Sequence, residues 1–370
     1  MIYFDNSASS PMSPSVLAVM REELVHFANP SSLHRLGFEA EKRLKTAREQ
    51  VAKSIGATPE EIFFTSGGTE ADNLAIFGAV QKLRRRGNRI LTTDSEHPAV
   101  ARCMDALEAE GFQVVRLSTR KGALDPAEIA EAANDKTILA AVMHTNNETG
   151  AVYDIPTLSR LVKAKSPFAL IFSDGVQGYL KSPMTPAALG VDLLSLSAHK
   201  ICGPKGVGAL YVKKGTNLPA RIYGGGQEKG VRSGTENLPG IVAFGKAAEE
   251  GKAVLEDSIR RMNAIGEIIM KELADEPRVS FNRPAKASCH VLSMTVQGFR
   301  SEVLLHTLSE KEVFVSSGSA CSSHSGKSPV LQNFGLSAKE ADSTVRLSFS
   351  RLNTEEEALE FCRILREILR

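Results

Sequence analysis

Hydrophobic positions recur along the chain with a helical spacing in some stretches and as short unbroken runs in others. Leu36, Ala40, Leu44, Ala47, Val51 and Ile55 fall three and four residues apart, a spacing that predicts an amphipathic helix. Glu61-Ile62-Phe63-Phe64-Thr65 then reads as a strand and Ser66-Gly67-Gly68 as a turn. A helix follows from Thr69, with Glu70 and Asp72 in its first turn. The rhythm returns at Arg89–Thr93, a strand closed by Asp94-Ser95-Glu96-His97, where Pro98 suits the first helical position. Ile138–Met143, Ala169–Phe172 and Asp192–Ser197 are further short apolar runs. Such runs, separated by helical stretches, imply an α/β fold with a mostly parallel sheet covered on both faces.

The pattern shifts near residue 250. Ile259, Met262, Ile265, Ile269 and Leu273 make one long amphipathic helix, and Val291–Val296 reads as a strand. Thr354–Leu369 predicts a terminal helix opened by a Thr354/Glu357 capping box. The expected organisation is a large domain over 13–250 and a smaller α+β domain over 251–370, to which residues 1–12 are assigned. No internal repeat or biased tract interrupts it.

Composition narrows the function classes. The 370 residues are 42% hydrophobic and 24% charged, and 45 Lys and Arg against 43 Asp and Glu leave a net charge of +2. That balance gives no electrostatic support for nucleic-acid binding. No apolar stretch approaches the roughly 18 residues of a membrane span. The first residues, Met1-Ile2-Tyr3-Phe4-Asp5-Asn6, lack the basic and apolar regions of a signal peptide. Five cysteines, Cys103, Cys202, Cys289, Cys321 and Cys362, form no CxxC pair. Reduced thiols in a cytoplasmic protein fit this better than a disulfide or zinc framework, and metal ligation is not indicated.

In an open α/β sheet, ligands sit beyond the carboxyl ends of the strands. The polar residues there are Ser66-Gly67-Gly68-Thr69, His97, Asn146-Asn147-Glu148, Asp174-Gly175-Val176-Gln177 and Ser197-Ala198-His199-Lys200. Gly67-Gly68-Thr69 at a helix start offers backbone N–H groups and a hydroxyl to a phosphate. It is not a Walker A loop, because no Gly-Lys-Ser/Thr follows. Lys200 is the lysine at a strand end; its rival Lys205 lies in a glycine-flanked turn and reads as surface. A shielded lysine can lose its proton and form a Schiff base. Together with the carboxylate of Asp174 and a phosphate cradle, it matches what pyridoxal phosphate requires. Gly224-Gly225-Gly226-Gln227 does not match the dinucleotide fingerprint, which disfavours a nucleotide-binding oxidoreductase.

Thr65-Ser66-Gly67-Gly68-Thr69-Glu70, Asn146-Asn147-Glu148, Ser197-Ala198-His199-Lys200 and Arg232-Ser233-Gly234-Thr235 resemble the class V aminotransferase superfamily. Within it the chain is similar, over nearly its whole length, to cysteine desulfurases of the NifS/IscS type. The resemblance implies the pyridoxal-phosphate-dependent fold type I, with a mostly parallel seven-stranded sheet between helices. It implies Lys200 as the Schiff-base lysine, Asp174 at the pyridine nitrogen, Gln177 at the phenolic oxygen and His97 stacked on the ring in a proton-transfer role. Gly68, Thr69, Ser197 and His199 would hold the phosphate, and Thr235 would reach the phosphate of a second subunit, which implies a homodimer. Asn147 and Arg346 would hold the carboxylate of L-cysteine, and Asn29 would line the substrate side. Ala198 departs from the glycine more usual there but removes no functional group. Other activities on the same scaffold, an aminotransferase or a selenocysteine lyase, are the alternatives, and a non-catalytic scaffold is disfavoured by the intact set.

Cys321 narrows the reaction. It lies in Ser316–Ser328, where seven of thirteen residues are serine and none is large and apolar. Such a segment has little to bury and reads as a mobile functional loop. Cys103 and Cys362 sit on apolar helix stripes, Cys289 begins a strand, and Cys202 follows the lysine turn. A thiol carried by a flexible loop can take sulfur from bound cysteine as a persulfide and deliver it to an acceptor protein, for iron–sulfur assembly or tRNA thiolation. The chain ends at Arg370 without the extra tail by which some members of the family dock a cluster scaffold, so the acceptor stays open.

Overall fold

The structure, a computed structural model, describes residues 1–317 and 328–370. Its strands, in chain order, are β1 (Ile2–Tyr3), β2 (Ile62–Thr65), β3 (Arg89–Thr93), β4 (Gln113–Leu117), β5 (Thr137–Ala141) and β6 (Leu170–Asp174). They continue with β7 (Leu193–Ser197), β8 (Gly208–Val212), β9 (Val279–Phe281), β10 (Val291–Val296), β11 (Val313–Phe314) and β12 (Thr344–Ser348). Seven of them form one sheet in the order β2-β8-β7-β6-β5-β3-β4. β3 pairs parallel with β4 and β5, β5 with β6, and β6 with β7, while β8 runs antiparallel to both neighbours.

The unbroken apolar runs have a direct cause. Successive side chains of a strand point to opposite faces. Leu91, Ala140, Ile171 and Leu194 join one core, while their neighbours Ile90, Leu139, Phe172 and Leu193 join the other. Helices cover both faces, so every position is apolar. The sheet contains two strands that the hydrophobic pattern did not single out. Edge strand β4 is only partly buried and carries Gln113 and Arg116 at its exposed positions, so its apolar signal is weak, and β8 follows the lysine turn as a return strand.

A second core gathers around β10 and β12, the helix Leu255–Glu272 and the terminal helix Glu355–Leu369. The capping box expected at Thr354 and Glu357 is present. β9, β10 and β12 form an antiparallel sheet, and β1 pairs in parallel with β11. Phe4 is fully buried there, edge-on to Phe349 at 5.1 Å. The N-terminal segment thereby crosses from this second core to the strand ends of the large sheet, where Ser10 N and Oγ both donate to the His199 carbonyl. No described helix is long and apolar enough to cross a membrane.

Candidate active site

The carboxyl ends of β2, β3, β5, β6 and β7 open toward a cavity of about 270 Å³. Its lining brings together Gly68, Thr69, His97, Asn147, Asp174, Gln177, Ser197, His199, Lys200 and Arg346, ten of the thirteen residues expected from the sequence. Asn29 is exposed in the segment between the helices Pro14–Glu23 and Arg35–Ser54, outside the lining. Thr235 is also exposed and lines a separate pocket with Ser66, Gly206 and Arg232. Cys321 lies outside the described residues.

Local structure holds each group. Asp174 ends β6, and its Oδ1 accepts the Val176 N–H at 2.9 Å and faces the Ser195 hydroxyl at 3.5 Å. His97 caps the helix Pro98–Ala109, its Nδ1 accepting the Ala99 N–H at 3.1 Å. Burial pulls the His97 imidazole below its ordinary range, with the Lys200 charge adding to the effect and Asp174 opposing it. The ring is therefore neutral at pH 7, and with Nδ1 occupied its proton is on Nε2. Burial, then the charges of Lys200, Lys181 and Lys205, pull His199 down to about 4. Lys200 Nζ donates to the Ser7 carbonyl at 2.6 Å, and Gln177 Nε2 donates to the same oxygen at 3.0 Å.

Arg346 comes from β12 in the other core and is 2% exposed. Its Nη1 donates to the Asn147 carbonyl at 3.0 Å and its Nη2 to Asp5 Oδ1 at 2.7 Å. Both described ends of the serine-rich segment meet this region. Ser316 exchanges backbone hydrogen bonds with Arg346, and Ser328 Oγ donates to Glu148 Oε2 at 2.5 Å.

Five residues outside the expected set also shape the cavity: Ser7 and Ala8 from the N-terminal segment, Asp72 from the helix Gly68–Leu83, Met143 and Val176. Burial, then the neighbouring Asp174 carboxylate, pushes the Asp72 carboxyl well above the usual range. The helix begins at Gly68, so Asp72 falls beyond the first turn expected for it, where Glu70 is the acidic residue, and nothing in the sequence located it in one cavity with Asp174. Ser7 and Ala8 carried no signal, because a short polar segment acquires its place only when β1 pairs with β11.

The chemistry of these groups fits pyridoxal phosphate. Ser197 Oγ, Gln177 Oε1 and Arg346 Nε are buried without a hydrogen-bonding partner among the described residues, and all three belong to residues lining the cavity. Buried polar groups are rarely left so, which marks them as sites for a polar ligand. Gly68 contributes space as well as an N–H: a Cβ there would meet Val176 Cγ2 at 2.7 Å. A lysine, a strand-end carboxylate and a helix N-terminus thus surround one cavity at the sheet edge where α/β proteins bind ligands.

The family profile for class-V aminotransferases matches residues 2–361, and the chain belongs to that family. Within it the chain falls in the NifS/IscS cysteine desulfurase group. It is 42% identical to the cysteine desulfurase IscS of Anaeromyxobacter dehalogenans, over 96% of this chain and 89% of that one. A solved NifS-like protein superposes with a TM-score of 0.94 at 34% identity, covering 100% of this chain and 99% of the other. SspA, solved in complex with cysteine, gives a TM-score of 0.83 at 33% identity over 94% and 99% of the two chains. The fold, mostly parallel seven-stranded sheet included, is the one the resemblance implied.

Proposed function

We propose that this cysteine desulfurase uses pyridoxal 5'-phosphate to release sulfur from L-cysteine, forming L-alanine and a persulfide on Cys321, which is passed to an acceptor protein. The observation that carries this reading is the convergence of Lys200, Asp174, His97 and Arg346 on one cavity whose buried polar atoms still lack partners.

When bound, the cofactor supplies an electron sink conjugated to the substrate's Cα. Lys200 would tether it and move the proton at Cα. Asp174 would hold a proton on the pyridine nitrogen, and Gln177 would serve the phenolic oxygen. Gly68, Thr69, Ser197 and His199 would bind the phosphate, the neutral His199 ring as a hydrogen-bond donor. His97 would pack on the ring and offer its Nε2–H for proton transfer. Arg346 and Asn147 orient the substrate carboxylate, and a guanidinium does so with two parallel hydrogen bonds. Asn29 completes the substrate side. Thr235, exposed and remote from this chain's own cavity, suits the phosphate of a second copy in a homodimer.

Cys321 attacks the substrate sulfur as a thiolate. Anchoring of Ser316 to Arg346 and of Ser328 to Glu148 supports its delivery to the substrate end. Iron–sulfur cluster assembly or tRNA thiolation is the destination, in a cytoplasm that keeps the four described cysteines reduced. Residues 13–250 form the cofactor domain, and residues 1–12 with 251–370 the smaller one, a division supported by the β1–β11 pairing and the separate core around Phe4.

The test uses Cys321→Ser. Persulfide and sulfide release are lost, while cofactor absorbance persists and borohydride still fixes the cofactor to Lys200. Mass spectrometry of the parent after L-cysteine shows one extra sulfur on Cys321. Desulfuration by the variant without added thiol, or borohydride labelling at another lysine, overturns the assignment.

A further inference from the structure

A second amine is buried in a chamber that Lys200 also lines, distinct from the cofactor cavity. Lys181 is 5% exposed, and its Nζ has no hydrogen-bonding partner among the described residues. Leaving an amine so placed is unfavourable unless something else meets it. The chamber it lines has a volume of about 20 Å³ and is shared with Lys200, Cys202, Ser258 and Arg351. That volume suits one water molecule. Lys200 lines both this chamber and the cofactor cavity. Ser258 and Arg351 line both the chamber and an outer pocket of about 470 Å³. The outer pocket carries Glu250, Asp257 and Arg261, of which Asp257 and Arg261 are exposed. Polar lining thus runs from the surface to Lys200.

We propose that Lys181 and its chamber form a second proton path, by which protons pass between bulk water and Lys200 without crossing the substrate cavity. The inference rests on the reading of Lys200 as the residue that tethers the cofactor and moves the substrate's α-proton. After Lys200 has taken that proton, Nζ gives a proton to the chamber water as the water gives one to the lone pair of Lys181. Lys181 then releases its proton outward past Ser258 and Arg351. One proton moves to solvent, both amines regain their starting state, and the reverse sequence resupplies Lys200.

The charge environment favours a lysine that exchanges protons near neutrality. Burial, then the positive charge of Lys200, pulls Lys181 down to about 7; Arg346 acts in the same sense, and Cys202 and Cys289 act against it. Cys289 Sγ donates to the Lys181 carbonyl at 3.1 Å, which seats the backbone. His290 is 1% exposed, with neither ring nitrogen partnered among the described residues. Burial and the charges of Lys181, Lys200, Arg346 and His144 hold its imidazole well below the ordinary range. It is neutral, so it places no competing charge beside Lys181. Arg351 is held at the chamber mouth by Glu250 at 3.0 Å. Lys181 does not touch the substrate cavity, so its role is to position and relay protons.

The test compares the parent holoenzyme with Lys181→Met and Ser258→Val. In deuterium oxide, exchange of the α-proton of L-alanine, followed by NMR, slows by about 10²-fold in Lys181→Met at unchanged cofactor content, the lower end of what a positioned proton-transfer group contributes. Ser258→Val, which narrows the chamber mouth, slows it less. A second readout needs no turnover. A buried lysine titrating near 7 makes the parent's stability rise as pH increases from about 7 toward the unfolded value of about 10.4. The excess thermal stability of Lys181→Met over the parent should therefore be greatest at and below pH 7 and shrink toward pH 10. Undiminished exchange in Lys181→Met, or a stability difference that does not change with pH, overturns the proposal. If borohydride fixes no cofactor to Lys200 in the parent, the functional reading falls and takes this one with it. Normal labelling with unaltered exchange sinks the second path alone.

Discussion

The two ends of the cavity, proposed to take the cofactor and the substrate, are built differently. At the proposed cofactor end, Asp174 and Ser197 close strands of one sheet, Lys200 lies in the short turn after β7, and Gly68 opens the helix that follows β2. At the substrate end, Arg346 reaches in from β12 of the other core, and its Nη2 is held by Asp5, 341 residues away in sequence. Its Nη1 is held by the Asn147 carbonyl. The first end is a property of a rigid layer with both faces buried. The second exists only while the N-terminal segment, β12 and the loop after β5 stay assembled. Binding the cofactor and orienting the substrate should therefore be separable.

The largest effect separating them is expected at Arg346. Arg346→Lys keeps the charge but loses the planar fork, and kcat/KM for L-cysteine should fall by about 10²-fold with cofactor content unchanged. Loss of cofactor in parallel with activity would mean that the two ends are one unit. The opposite outcome is expected of Gly68→Ala. The added Cβ meets Val176 Cγ2 at 2.7 Å, and forcing the helix start aside costs about 1–3 kcal/mol. Cofactor affinity, read by fluorescence titration of the apo chain, should weaken by about tenfold, while KM for L-cysteine in the cofactor-saturated protein holds.

The smallest effect is a pH dependence of stability. His144 and His199 are both pulled down to about 4, chiefly by burial. Between an unfolded value of about 6.5 and that folded value, the unfolded chain binds protons that the folded chain does not. Stability should fall as pH drops from about 6.5 toward 4, with no contribution from these groups above that window. His199→Gln should lose fewer degrees of Tm than the parent between pH 6.5 and 5. An identical loss would show that His199 titrates normally in the folded protein.

The same contrast explains what could be read from the sequence. Asp174 and Lys200 were legible because short apolar runs announce strands, and strand ends announce a ligand site. The glycine-rich helix start that lines the cavity was legible because Gly67-Gly68-Thr69 follows a strand and opens a helix. Arg346 was reached only through the resemblance, since an arginine inside an apolar strand carries no local mark of what it faces. Asp72, Ser7 and Ala8 were missed for the same reason, and so was Lys181. An exposed lysine and a wholly buried one look alike when written as letters.

Alternation, capping and turn chemistry in the sequence determined which segments become strands and helices, and which polar residues stand at strand ends. Each of those choices is made over a few residues by backbone sterics and local hydrogen bonds. The tertiary structure alone decided that β12 and the N-terminal segment meet over the large sheet, that Asp72 lies in the cavity near Asp174, and that a second amine shares a chamber with Lys200. Those outcomes depend on how two separate cores pack against each other, and that packing sums many weak contacts between residues hundreds of positions apart.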